Sequence, residues 1–171
     1  DGFRVDAARH LMEDAQGTMA DLPETHAYAK RFRRDLGHPN AMLLAEAWTT
    51  RDNMEPYRGN ADEFTHAFDF DLATAVVASL LSGKAAHVQE QVNAVKHWEY
   101  EATFLSNHDL ERLRTRLFSD DAVKAAHVIL AMLPGTPFLF MGDELLTRNG
   151  DGAGDLRKRT PMKWTPQGGF S

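Results

Sequence analysis

At 171 residues, 43% hydrophobic and 26% charged, the chain has the composition of an ordinary globular domain and is long enough to bury a core. Its formal net charge of -6 argues against nucleic acid or an anionic membrane surface as a partner, because both reward concentrated positive charge. The absence of cysteine removes disulfides, thiolate metal sites and cysteine nucleophiles together.

In chain order, short apolar runs alternate with helical stretches. The first run, "GFRVDAA" over 2–8, ends in charge, with Arg4 and Asp6 two apart and so on one face of a strand. A helix follows: Pro23 suits a first turn, and "ETHAYAKRFRRDL" runs to Gly37, a natural stop. Its basic stretch reads as a solvated helix face. The second run is "AMLLAEAW" over 41–48 and the third "EFTHAFDF" over 63–70. Beyond it, Ala73, Val76, Val77, Leu80 and Leu81 keep helical spacing, closed by Ser82 and Gly83. The fourth run, "ATFLSNHD" over 102–109, precedes a helix in "SDDAVKAAHVILAMLPG", capped by Ser119 and ended by Pro134 and Gly135. The fifth run is "TPFLFMGDE", and residues 143–171 read as mostly one long, glycine-rich polar loop.

Apolar residues that run together as well as alternate indicate buried parallel strands, and their alternation with helices indicates repeated βα units. The predicted class is α/β, with five strands, too few to close a barrel. A doubly wound sheet stays open, although no glycine-rich phosphate loop follows any strand. The longest apolar stretch is interrupted by Pro134 and Pro137 and falls short of the roughly 20 residues of a spanning helix, so no membrane partner is expected. No signal peptide is visible, which carries little weight in a chain that opens without methionine.

Three runs end on acids, Asp6, Glu46 and Asp109, which would emerge together on the C-terminal edge of the sheet, where barrel enzymes build their sites. Arg4 would hold Asp6 ionised. Glu46, between Ala45 and Ala47 with Trp48 close behind, is expected in a dry setting that favours the protonated form and suits a general acid. Two carboxyl groups driven to opposite protonation states are what glycoside hydrolysis asks for. Trp48, Tyr57, Phe68 and Trp164 could stack sugars or pack in the core.

"GFRVDAARH", "LLAEAW" and "FLSNHD" resemble the fourth, fifth and seventh barrel strands of the alpha-amylase family of retaining α-glucan hydrolases and transglucosylases, and "GTPFLFMGDEL" resembles its eighth. The resemblance implies that residues 1–171 are a partial catalytic (β/α)8 TIM barrel, its C-terminal half from strand four to strand eight, a fragment without the preceding strands. Such a piece is expected to be inactive and aggregation-prone alone. By the same resemblance Asp6 is the nucleophile, Glu46 the acid/base and Asp109 the third acid, which stabilises the distorted sugar. Arg4 and His108 match polar supports where the bond breaks, and Arg9 and His10 match contacts to the leaving-side sugar. A retaining mechanism needs the first two carboxyls about 5 to 5.5 Å apart, and neighbouring strands roughly 4.8 Å apart can supply that.

The implied substrate is a starch-type α-glucan or maltooligosaccharide, cleaved by double displacement. The chemistry needs no cofactor and no metal ligand is assigned, while structural calcium in the full-length protein stays open. The compartment also stays open, between cytoplasm and secretion, and a bacterial source is expected. The terminal "RTPMKWTPQGGFS" resembles the branch that includes trehalose synthases and oligosaccharide-type glucosidases, whereas Leu110 after Asp109 and a compact approach to the eighth strand favour an amylase or α-glucosidase. Trehalose synthase-type transglucosylation of maltose is the alternative. A non-catalytic sugar-binding relative is weakened by retention of all three acids. A metal-dependent phosphohydrolase is weakened by histidines scattered without ligand spacing.

Overall fold

Each of the five apolar runs contributes a short strand. The computed structural model describes residues 2–165, 167 and 168, so part of the loop expected over 143–171 lies outside the described residues. Strand β1 (Gly2–Val5) leads to helix α1 (Pro23–Asp35), and β2 (Met42–Ala45) leads to the single turn α2 (Arg51–Met54). Strand β3 (His66–Phe68) feeds directly into α3 (Phe70–Ser82), which is followed by α4 (Ala86–Ala94). Strand β4 (Glu101–Thr103), helices α5 (Leu113–Leu117) and α6 (Asp120–Met132), and β5 (Thr136–Pro137) complete the order.

The sheet runs β1-β2-β3-β4-β5, and the pairs β1–β2, β2–β3 and β3–β4 are parallel. Strand order that follows sequence order without reversal is that of barrel segments; a doubly wound sheet would reverse direction at a switch point. Gly2 is required by this pairing, because a Cβ there would sit 2.2 Å from the Met42 carbonyl oxygen.

The chain divides into two compact units. One comprises the segments up to Asp71, Lys96–Ala102 and Pro134–Thr136, and the other Leu72–Val95, Thr103–Leu133 and the chain from Pro137 onward. In the first, Ala8, Ala29, Leu43, Ala45, Met54, Tyr57, Phe64 and Tyr100 form the core, with Phe32 and Leu36 of the α1 face packed on it. In the second, Val76 and Val77 of α3 pack with Leu105, Leu113, Leu117 and the α6 residues Val123, Ala126 and Leu130. Each long helix thus contributes one stripe at helical spacing.

The strands are shorter than expected from the apolar runs. β1 and β2 stop at Val5 and Ala45, just before the acids, and β4 ends at Thr103, well before Asp109. Phe70, expected in a strand, opens α3 instead.

Candidate active site

In the first unit, the parallel register pairs Arg4 with Leu44 and Val5 with Ala45, so Asp6 and Glu46 leave β1 and β2 as consecutive neighbours. Backbone bonds extend that register by one step: the Glu46 N–H donates to the Val5 carbonyl at 3.0 Å, and the Ala8 N–H donates to the Glu46 carbonyl at 2.9 Å. The strand cannot continue, because Ala7 adopts the left-handed conformation, φ 44° and ψ 45°.

Arg4 reaches both acids. Its guanidinium lies 2.7 Å from Asp6 Oδ1 and 2.8 Å from Glu46 Oε2. The planar fork suits such a bridge, with parallel donors separated enough to serve two carboxylates. The two acids differ in exposure: the Asp6 side chain is 75% accessible and that of Glu46 only 10%. The expected Arg4–Asp6 pair is present. Glu46 is shielded from solvent as expected, but its surroundings are polar: its carboxylate accepts from Arg4 and, at 3.1 Å, from the Ala7 N–H. Flanking alanines describe only neighbours along the chain, and the partners that matter come from the adjacent strand.

Trp48 stacks on Phe70 with ring centroids 4.9 Å apart. Arg9 turns to Asp21, which it grips with two nitrogens, and to the Trp48 carbonyl at 3.2 Å. The buried Tyr57 hydroxyl donates to the same Asp21 at 2.7 Å, so Tyr57 belongs to the core. Burial works to raise the Asp21 pKa, but the hydrogen bonds from Arg9 and Tyr57 prevail and hold it below the usual carboxylate range. His10 is exposed on the 3-10 turn Ala8–His10.

In the second unit, Asp109 sits in a turn shaped by Asn107, whose side-chain oxygen accepts the N–H groups of Asp109 and Leu110, each at 2.9 Å. His108 Nε2 lies 3.1 Å from Asp109 Oδ2, so this predicted pair is in contact. The sequence reading missed the cations that meet them. Arg159 donates to Asp109 Oδ1 at 2.6 Å and to the His108 carbonyl at 3.2 Å, and Lys158 donates to the Asp109 carbonyl at 2.8 Å. Arg112, wholly buried over the Phe140 ring, donates to the carbonyls of Met141 and Thr160, which anchors the same segment. The one signal available was the basic run "LRKR" inside an otherwise polar, glycine-rich stretch.

The histidines are dispersed. His26 pairs with Glu63 at 2.8 Å and His127 bonds to the Val123 carbonyl at 2.9 Å. Among the described residues no three or more histidine, aspartate or glutamate side chains are grouped to hold a metal ion. No helix among them is long and apolar enough to cross a membrane.

Residues 1–171 match the family model described as "Alpha amylase, catalytic domain". The chain is 29% identical over 221 aligned residues to the trehalose synthase/amylase TreS of Mycolicibacterium smegmatis, a match that covers all of this chain and 36% of that protein. It is 28% identical to alpha-amylase 3 of Dictyoglomus thermophilum, over 96% of this chain and 33% of that one. The crystal structure of alpha-amylase from H.orenii superimposes with a TM-score of 0.73 at 27% identity, over 97% of this chain and 37% of that chain. The chain thus spans about a third of the length of the relatives it matches.

Proposed function

The chain belongs to the alpha-amylase catalytic-domain family, and on that premise we propose that the protein containing it hydrolyses α-glucosidic bonds of starch-type glucans or maltooligosaccharides with retention of configuration. The observation that carries this reading is the Arg4 guanidinium bridging Asp6 and Glu46 at 2.7 and 2.8 Å. Two carboxyls served by one planar group are compatible with the about 5 to 5.5 Å separation of a retaining pair. Their unequal exposure supports unequal roles.

In the first step the Asp6 carboxylate attacks the anomeric carbon, the bond to the leaving oxygen breaks, and Glu46 gives that oxygen its proton. In the second, Glu46 takes a proton from water, whose oxygen displaces Asp6 from the anomeric carbon and restores both groups. Only substrate and water are consumed, so no cofactor enters; calcium is proposed only in a structural role in the longer protein. Asp109 and His108 are assigned to the hydroxyls of the distorted sugar, and Arg9 and His10 to the leaving side. Arg9 acts there through the loop it pins to Asp21. Neither nucleic acid nor a membrane is a proposed partner, and the proposed compartment is the cytoplasm or the exterior of a bacterium.

A second reading, intramolecular transfer from maltose to trehalose, is favoured by the similarity to TreS along the whole chain. Incubating the full-length protein with maltose separates the two. Glucose alone supports hydrolysis by a glucosidase, trehalose supports the isomerase, and cleavage only of longer maltooligosaccharides supports an amylase. Asp6→Asn and Glu46→Gln should each lower kcat by at least 10²-fold; wild-type turnover in Glu46→Gln would favour the non-catalytic relative.

A further inference from the structure

We infer that the backbone of Ala7 is a positioning group for Glu46: its left-handed turn aims two successive N–H groups at that one residue, one of them at the carboxylate. The inference rests on the reading of Glu46 as acid/base. In an extended strand, successive N–H groups point to opposite edges, so two in a row cannot serve one residue on the neighbouring strand. At φ 44° and ψ 45° Ala7 breaks that alternation. Its N–H reaches Glu46 Oε2 at 3.1 Å, and the next, from Ala8, reaches the Glu46 carbonyl at 2.9 Å.

The Glu46 N–H in turn donates to Val5, so the segment that carries Asp6 grips Glu46 at its amide, carbonyl and carboxylate. The left-handed conformation carries a cost for a residue with a Cβ, and Ala7 is one of five non-glycine residues at positive φ among the described residues, with Asp21, Ala61, Phe118 and Leu146; what sets it apart is the pair of donors it aims at Glu46. With Arg4 on the same oxygen at 2.8 Å, Oε2 carries two donors. Among the described residues no hydrogen bond involves Oε1. Oε1 is therefore the oxygen left open to face the leaving oxygen and, later, water.

The test uses the full-length protein with lactic acid in place of alanine at position 7, an amide-to-ester change that deletes the N–H and little else. Two substrates with the same glycone are compared: a maltooligosaccharide, whose leaving sugar needs a proton, and the corresponding glycosyl fluoride, whose leaving group does not. Expected is a loss on the order of tenfold in kcat/KM for the sugar, part of what general acid catalysis supplies, with less than about twofold loss for the fluoride. Equal loss on both substrates, or none on either, overturns the inference.

Should the ester variant not fold, Ala7→Val is the second probe, since a β-branched residue resists positive φ; the same selective loss is expected and the same outcomes overturn it. Ala7→Gly keeps the donor and accepts the turn, so the ratio between the two substrates should stay at the wild-type value; a changed ratio argues against the backbone role. Glu46→Gln run in parallel must itself discriminate strongly between the substrates. If it does not, the acid/base reading fails; if it does while the Ala7 variants do not, only the positioning role fails.

Discussion

The Arg4 guanidinium bridges Asp6 and Glu46. Arg4 and Asp6 share a strand face because they are two apart, and they meet at 2.7 Å. The Arg4–Glu46 contact depends on the register between β1 and β2, which no local pattern encodes. The same holds for a buried trio in that unit: Arg51 is paired with Asp69, and Glu101 lies beside them, wholly buried. Burial, with the Asp69 charge added, pushes the Glu101 carboxyl up to about 8. Between about 4.5 and 8 the folded chain keeps that proton and the unfolded chain has lost it. Fewer protons bound in the unfolded state mean that stability falls as pH rises through this window. Glu101→Gln should therefore leave the melting temperature of the full-length protein unchanged near pH 4.5 and raise it increasingly toward pH 8.5, by on the order of 2 to 4 kcal/mol in stability. A constant offset between the two proteins at every pH would contradict the assignment.

Among the elements, the long helices were legible from local signals: Pro23 and Gly37 bound α1, apolar spacing from Ala73 to Leu81 marks α3, and the Ser119 cap and the Pro134-Gly135 stop bound α6. Helix α4 escaped notice for the converse reason, since it has no buried residue and so shows no periodicity. The cap of α6 was also readable, and the Ser119 hydroxyl accepts the Ala122 N–H. Ser119→Ala should cost about 1 kcal/mol, measured as a lower urea midpoint with an unchanged slope; no change would show that Asp120 and Asp121 suffice to hold the first turn. Strand lengths were overestimated, because an apolar run continues past the point where backbone pairing ends.

On the scale of the whole molecule, β1 lies at the end of the sheet order with Phe3 56% exposed, and Met132 and Leu139 are 80% and 64% exposed. An unpaired parallel strand edge beside apolar surface is an aggregation hazard. The 171-residue chain expressed alone should form soluble aggregates or inclusion bodies and show no glucan hydrolysis; a monodisperse, active monomer by light scattering would refute that. The relatives it matches are about three times as long as the matched stretch.

By itself the sequence determined the α/β class, the three long helices and the identity of the acids at the ends of β1 and β2, because periodicity, caps and strand-end residues act over a few neighbours along the chain. Only the tertiary structure decided that Arg4 serves both Asp6 and Glu46, that Ala7 turns left-handed to donate to Glu46, and that Lys158 and Arg159 meet Asp109. Apart from Arg4–Asp6, those contacts join residues about 40 to 50 positions apart, set by strand register and loop return, which leave no mark on the local pattern of either partner.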